Sequence, residues 1–179
     1  MKYSSFSIIA AATFAVAAPA HALDANQEAC IVEDMPTEIQ MAVAAEYGTA
    51  DGWGTGYDAF VEMAEACAET TGIPAQQRDD YLNYGIFMSI AGFKRAQLEL
   101  GDYRMDLFDA GIEALVANIE DPFSSATGLT EDAVEFMSDF FDESDEDFIP
   151  MEDEDQLALF QLVQAYKMLM TLQDRLQSE

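Results

Sequence analysis

The chain has 179 residues, half of them apolar, and its 35 Asp and Glu residues far outnumber its seven Lys and Arg residues. This length and apolar content predict one domain with a real core rather than a disordered chain. The formal charge of −28 excludes nucleic acids and anionic membrane surfaces as favoured ligands, because binding to both depends on Lys and Arg. Cations and basic proteins remain as candidate partners.

Residues 1–22 have the features of a secretory signal peptide. They contain Lys2, an apolar run from Ile8 to Ala18, and the small-residue sequence Ala20-His21-Ala22 at the predicted cleavage site. The apolar run is too short to span a bilayer, which needs about 20 residues. We therefore expect residues 23–179 to form a single helical domain, periplasmic or secreted, that is not inserted in a membrane after cleavage.

The predicted mature chain retains two cysteines, Cys30 and Cys67. Removal of residues 1–22 leaves six basic residues against 35 acidic ones, a formal charge of −29, and no histidine. Export places the cysteines in an oxidising compartment, where pairing is expected. A redox role is disfavoured because the two thiols lack CxxC spacing. The sequence therefore predicts one structural disulfide between Cys30 and Cys67.

Helix-starting and helix-ending residues divide the first half of the mature chain, and strand signals are nearly absent. Pro36 precedes the segment TEIQMAVAAEY, which Gly48 closes. Thr55 is a predicted cap for a second helix, which ends at Gly72. Apolar residues in this second segment recur every three or four positions, as expected for a helix with one buried face.

The second half begins with a long predicted helix, with Pro74 in its first turn and its end near Leu100. Asp102 is the predicted cap of the next helix, which Pro122 terminates. Residues 122–130 are the candidate linker and sub-boundary within the domain, followed by two more helices. These segments predict an all-α fold, an irregular bundle of about five to seven helices with one disulfide.

Two glycines, Gly85 and Gly92, lie inside the long helix, where glycine costs about 0.5 to 1 kcal/mol relative to alanine. They indicate either close approach of another chain segment or a kink in the helix. The sequence does not separate these alternatives.

The segment GTADGWGTGYD superficially resembles a phosphate-binding loop. It lacks the preceding strand and glycine spacing of a dinucleotide fingerprint, and it lacks the lysine of a P-loop. A connection between helices, with Trp53 folded onto the core, is the favoured interpretation. An exposed Trp53 would instead be a candidate interaction anchor, because large aromatic side chains dominate interface energetics.

The segment FFDESDEDFIPMEDED, from Phe140 to Asp155, holds nine carboxylates and is the candidate cation site. Calcium prefers six to eight oxygen ligands, but neither register of this loop places glycine at the sixth position of an EF-hand. The alternatives are a solvated acidic loop and a low-affinity Ca²⁺ site. The candidate ligands are Asp142, Glu143, Asp145, Asp147, Glu152 and Glu154.

The residue types present disfavour enzymatic functions. Without histidine, Ser/His/Asp and Cys/His catalysis are excluded in the mature chain, and we assign no catalytic residue and no cofactor beyond the candidate Ca²⁺. The leading hypothesis is an exported acidic protein that binds a basic protein partner. The alternatives are low-affinity Ca²⁺ binding or buffering, and a glycan-active enzyme that uses paired carboxylates. The sequence does not define the oligomeric state.

Overall fold

A computed structural model describes residues 23–47, 52–101, 103–119, 122, 129–143 and 153–177. Within these ranges the chain forms seven α-helices, one π-helical turn and one 3-10 turn, and no strand. The prediction of an irregular all-α bundle with one disulfide is confirmed. The predicted signal peptide, residues 1–22, lies outside the described residues.

The described chain begins with α1 (Ala25–Glu28), which continues directly into the π-helical turn Ala29–Glu33. Asp24 caps α1 in a capping box, since its side chain accepts from two backbone N–H groups and Gln27 reaches back to the Asp24 N–H. The π-helical turn carries Cys30, which is bonded to Cys67 with a Cα–Cα distance of 5.8 Å. The predicted disulfide is therefore confirmed, and it fastens the amino-terminal segment to the third helix.

Two helices follow, α2 (Thr37–Glu46) and α3 (Thr55–Thr71). Gly72 ends α3 in the left-handed conformation, φ 76°, in agreement with its predicted role. The predicted cap at Thr55 is wrong, because the N-cap position is Gly54, whose backbone N–H donates to the side-chain carboxylate of Glu46 in α2.

The long helix α4 (Arg78–Leu100) begins later than predicted. Pro74 precedes a separate 3-10 turn, Ala75–Gln77, in which the Gln77 N–H bonds to the Pro74 carbonyl at 2.9 Å. Three further helices follow: α5 (Met105–Asn118), α6 (Glu131–Glu143) and α7 (Asp153–Gln177). The predicted cap Asp102 lies outside the described residues, and the N-cap position of α5 is Arg104.

Helix α4 is the centre of the bundle. The last helix, α7, packs along it, α2 and α3 cover other parts of it, and α6 packs on α5. The two long helices are antiparallel, since Tyr103 after α4 bonds to Asp155 at the start of α7 and Arg175 near its end reaches Asp80. Buried residues from both sides of residues 122–130 belong to one continuous core.

Gly85 and Gly92 of α4 have different surroundings. A Cβ atom at Gly85 would lie 2.8 Å from Ile31 Cδ1 and 2.9 Å from Phe60 Cζ, whereas a Cβ at Gly92 would meet nothing within 4 Å. Gly85 therefore accommodates the buried side chain of Ile31, which comes from the π-helical turn. The close approach is made by a side chain rather than by another backbone.

Within the described ranges, no helix combines the length and the apolarity that crossing a bilayer requires.

Candidate binding surface

Trp53 lies just before α3 with 46% of its surface exposed. Its ring stacks on Tyr57, with 5.0 Å between ring centroids, and lies 6.0 Å from the ring of Tyr47. Tyr47 in turn meets Phe87 of α4 edge-on at 6.0 Å. One side of Trp53 is therefore supported by tyrosines that are fixed to the bundle, and the rest of its ring faces solvent. Its role as an interaction anchor stays a prediction.

Helix α7 extends this aromatic group. The Tyr47 hydroxyl donates to Gln164 Oε1 at 3.3 Å, and the Tyr47 carbonyl accepts from Gln161 Nε2 at 3.5 Å. At about 3.6 residues per turn, Leu157 and Phe160 lie on the same stripe of α7 as these two glutamines. Leu157 is 55% exposed and Phe160 is 37% exposed. We call this area the Trp53 surface; it consists of Tyr47, Trp53, Tyr57, Leu157 and Phe160.

A row of exposed carboxylates begins beside the Trp53 surface. The row starts directly after Tyr57 and consists of Asp58, Glu62, Glu65 and Glu69. Successive acids are four, three and four residues apart, so they share one face of α3. The row is about 16 Å long, at 1.5 Å per residue. Like charges at this spacing destabilise a helix by about 0.2 to 0.5 kcal/mol per pair, so the row does not serve helix stability.

The four arginines of the chain are too few to neutralise its acidic residues. Each of the four forms an ion pair with a carboxylate of the same chain: Arg78 with Glu69 at 3.7 Å, Arg95 with Asp109, Arg104 with Asp106 at 2.7 Å, and Arg175 with Asp80 at 3.4 Å. The guanidinium charges are therefore already engaged by acids of the chain. Most of its 35 acids remain in excess and give the molecule its negative field.

The glycine-rich segment before α3 is occupied by a carboxylate from α2. Glu46 accepts hydrogen bonds from the backbone N–H groups of Gly54 at 2.9 Å, Gly56 at 2.8 Å and Tyr57 at 3.0 Å. These bonds, with that from Gly54 foremost, hold the pKa of Glu46 below its ordinary value of 4.5, although burial acts in the opposite direction. The amino terminus of α3 therefore contains an internal anion where a phosphate-binding loop would hold its ligand.

Sequence reasoning missed the role of Glu46. One signal was available, because a carboxylate in the last turn of a helix opposes the helix dipole and needs another partner. Glycine at position 56 also allows α2 and α3 to approach closely. A Cβ on Gly56 would lie 2.7 Å from Ala42 Cβ and 2.9 Å from the backbone carbon of Ala42, so α2 and α3 touch there.

A second polar group joins three helices. Arg95 of α4 donates to Asp109 of α5 at 2.6 Å, and also to Glu99 at 3.0 Å. The Tyr166 hydroxyl of α7 donates to the same Asp109 at 3.5 Å, and burial, aided by the charge of Asp109, raises the pKa of Tyr166. The group fastens α5 to the two long helices.

The six candidate cation ligands are only partly within the described chain. Asp142 and Glu143 lie in the last turn of α6, where the structure describes the backbone, and Glu154 is exposed in the first turn of α7. Asp145, Asp147 and Glu152 lie outside the described residues. Among the residues that are described, no group of three or more Asp, Glu, His or Cys side chains could hold a metal ion. The Ca²⁺ site stays a prediction.

Comparisons with protein-family models, with curated proteins and with solved structures find no match.

Proposed function

We propose that this protein is an exported binding protein and that the Trp53 surface and the carboxylate row of α3 engage a basic protein partner. The observation that carries the proposal is the position of an exposed tryptophan, supported by tyrosine stacking, at one end of an exposed line of acids. Tryptophan is enriched among the residues that dominate binding energy. The line of acids supplies long-range attraction for a partner of opposite charge.

The charge distribution also predicts how binding depends on salt. Exposed carboxylates accelerate association with a basic protein, and this contribution falls as the Debye length shortens from about 10 Å at 0.1 M salt to about 3 Å at 1 M. Contacts made by Trp53 persist at high salt because they depend on apolar burial. A partner that binds through both should be recovered best at low salt and retained in part at high salt.

The test is a pull-down from the exported fraction at low and high salt, with three forms of the protein as bait. The wild type is compared with Glu62→Lys/Glu65→Lys, which reverses the centre of the row, and with Asp132→Lys/Glu135→Lys, which makes the same charge change on exposed positions of α6. We expect the first variant to lose a basic partner that the wild type and the α6 variant retain. Recovery of no partner at either salt, or equal recovery by all three forms, would remove the proposal.

A further inference from the structure

We infer that the Trp53 surface accepts one face of an amphipathic cationic helix, whose apolar side chains cover Trp53, Leu157 and Phe160 while its Lys and Arg residues meet the surrounding carboxylates. This inference rests on the proposed function and specifies the chemistry of the partner at the same site. It distinguishes a partner with an ordered apolar face from one that binds by charge alone.

The apolar side chains of the Trp53 surface are exposed to solvent. Leu157 and Phe160 lie three residues apart on α7, and Tyr47 connects their stripe to Trp53 through its bonds to two glutamines. Each of these three large apolar side chains is at least 37% exposed, and Tyr47 contacts both the ring of Trp53 and the helix that carries the other two. Exposed apolar side chains grouped in one area mark interaction sites more often than isolated ones do.

The carboxylates around the Trp53 surface favour a partner with basic residues beside its apolar face. Asp58 follows Tyr57 directly, and the exposed Glu154 lies one turn before Leu157, so acids adjoin both the α3 side and the α7 side of the apolar area. An apolar partner with acidic flanks would be repelled, whereas a helix with basic residues beside its apolar face matches both features. A second copy of this chain carries the same large negative charge and is disfavoured for the same reason.

The row on α3 also matches the helical period of such a partner. Its acids recur every three or four residues, which is the spacing of Lys or Arg along one face of a facing helix. Helix-in-groove recognition uses this arrangement, with apolar anchors at helical spacing and charges at the edge. An extended basic segment would present its side chains on alternate faces instead.

The experiment uses three defined peptides of equal charge and about 18 residues, and measures binding through the fluorescence of Trp53, the single tryptophan of the chain. The first peptide contains Leu and Lys in helical amphipathic order, the second has the same composition in scrambled order, and the third is Lys with Gly. We expect the first to bind at least about tenfold more tightly than the second, and the third to bind weakly and only at low salt.

Matched variants locate the site. Leu157→Gln and Val134→Gln each remove an apolar side chain that is 55% exposed, the first on the Trp53 surface and the second on α6. We expect Leu157→Gln combined with Phe160→Gln to weaken the amphipathic peptide by about tenfold and to leave the Lys/Gly peptide unchanged. Val134→Gln should leave both affinities unchanged. Circular dichroism of each variant verifies that the fold is retained.

The outcomes separate the two proposals. Equal affinity for the ordered and scrambled peptides, unaffected by Leu157→Gln/Phe160→Gln, would overturn this inference while leaving a charge-based partner in place. Failure of all three peptides to bind would count against both. A homodimer that Trp53→Ala dissociates, detected by sedimentation, would assign the surface to a second copy of the chain and overturn the inference as well.

Discussion

Residues 23–33 contact α3 and α4, and helix α5 contacts α4, but the contacts that hold these two regions differ in kind. The amino-terminal segment is fixed by the Cys30–Cys67 bond and by Ile31, which fills the space above Gly85. Two tyrosines of α4 add hydrogen bonds, Tyr81 to the Gln27 carbonyl at 2.8 Å and Tyr84 to Glu28 at 3.1 Å.

Helix α5 is attached to α4 through the partly buried pair of Arg95 and Asp109, and its other side is covered by α6. A disulfide is broken by reduction and close packing is sensitive to changes in side-chain volume, whereas an ion pair responds to charge, salt and pH. The two regions should therefore fail under different perturbations. A strongly acidic chain can therefore hold one element mainly by a disulfide and apolar packing and another mainly by an ion pair.

The largest expected effect is loss of the disulfide. Cys30→Ser/Cys67→Ser opens a link between residues separated by 37 positions, which the chain-entropy model values at about 4 kcal/mol. We expect the free energy of unfolding from urea melts to fall by about 2 to 5 kcal/mol. A fall below about 1 kcal/mol would show that packing alone holds the amino-terminal segment.

Packing in the same region is tested at Gly85. Gly85→Ala forces a methyl group against Ile31 and Phe60, both fully buried, and should destabilise the protein by about 1 to 3 kcal/mol. Gly92→Ala is the matched control in the same helix, because its methyl group meets open space. The control should stabilise by up to about 1 kcal/mol through helix propensity. Similar thermal shifts in both variants would contradict the packing difference.

The attachment of α5 is tested at Asp109. Asp109→Asn leaves the guanidinium of Arg95, whose side chain is only 15% exposed, without its closest carboxylate. We expect a loss of about 1 to 2 kcal/mol in urea melts, smaller at high salt. Asp106→Asn removes one partner of the exposed Arg104 and should cost about 0 to 1 kcal/mol. Equal losses from both substitutions would argue against a special role for the inner pair.

Glu46 predicts a pH dependence for the contact between α2 and α3. Because the folded pKa lies below the ordinary value of 4.5, the folded state binds fewer protons than the unfolded state. The stability contributed by Glu46 is therefore fully present above about pH 5 and is lost as pH falls through the folded pKa.

Glu46→Gln should remove this contribution. The free energy of unfolding of the variant should therefore fall less steeply than that of the wild type between about pH 5 and about pH 3. Glu38→Gln, an exposed change on the same helix, is the control for loss of one negative charge. Parallel stability curves for wild type and Glu46→Gln would mean that the three backbone bonds do not depend on the ionised carboxylate.

The smallest expected effect is that of Ca²⁺. If the segment from Asp142 to Glu154 binds Ca²⁺ with a dissociation constant near 1 mM, millimolar Ca²⁺ should stabilise the folded state by about 0.5 to 1 kcal/mol. Calorimetry measures this as a small rise in melting temperature, and Asp145→Asn/Asp147→Asn should reduce it. Melting curves that coincide in Ca²⁺ and in NaCl of matched ionic strength would end this hypothesis.

The sequence was sufficient for the features that depend on neighbouring residues. The apolar stripes and the signals at Pro36 and Gly72 located α2 and α3, and the acid-rich start of α7 agrees with its helix dipole. Helix α1 was missed because four residues show no periodicity, although Asp24 and Gln27 already had the spacing of a capping box.

Features that depend on distant residues could not be predicted in this way. Nothing near Gly85 indicates that Ile31, 54 positions earlier, fills the space beside it. The pairing of Arg95 with Asp109 and the support of Trp53 by Tyr47 likewise follow from how helices meet. The sequence favours a Trp53 folded onto the core, whereas its side chain is 46% exposed, because burial of a loop residue is decided by the rest of the fold.

The packing of α7 along α4 has a consequence for how the protein is made. Helix α4 ends at Leu100, yet the helix that covers it begins only at Asp153 and is the last described element of the chain. A ribosome releases the chain from its amino end, so the matching face of α4 stays uncovered until the residues of α7 have been synthesised. The face of α4 that α7 covers is therefore the last part of the described core to close.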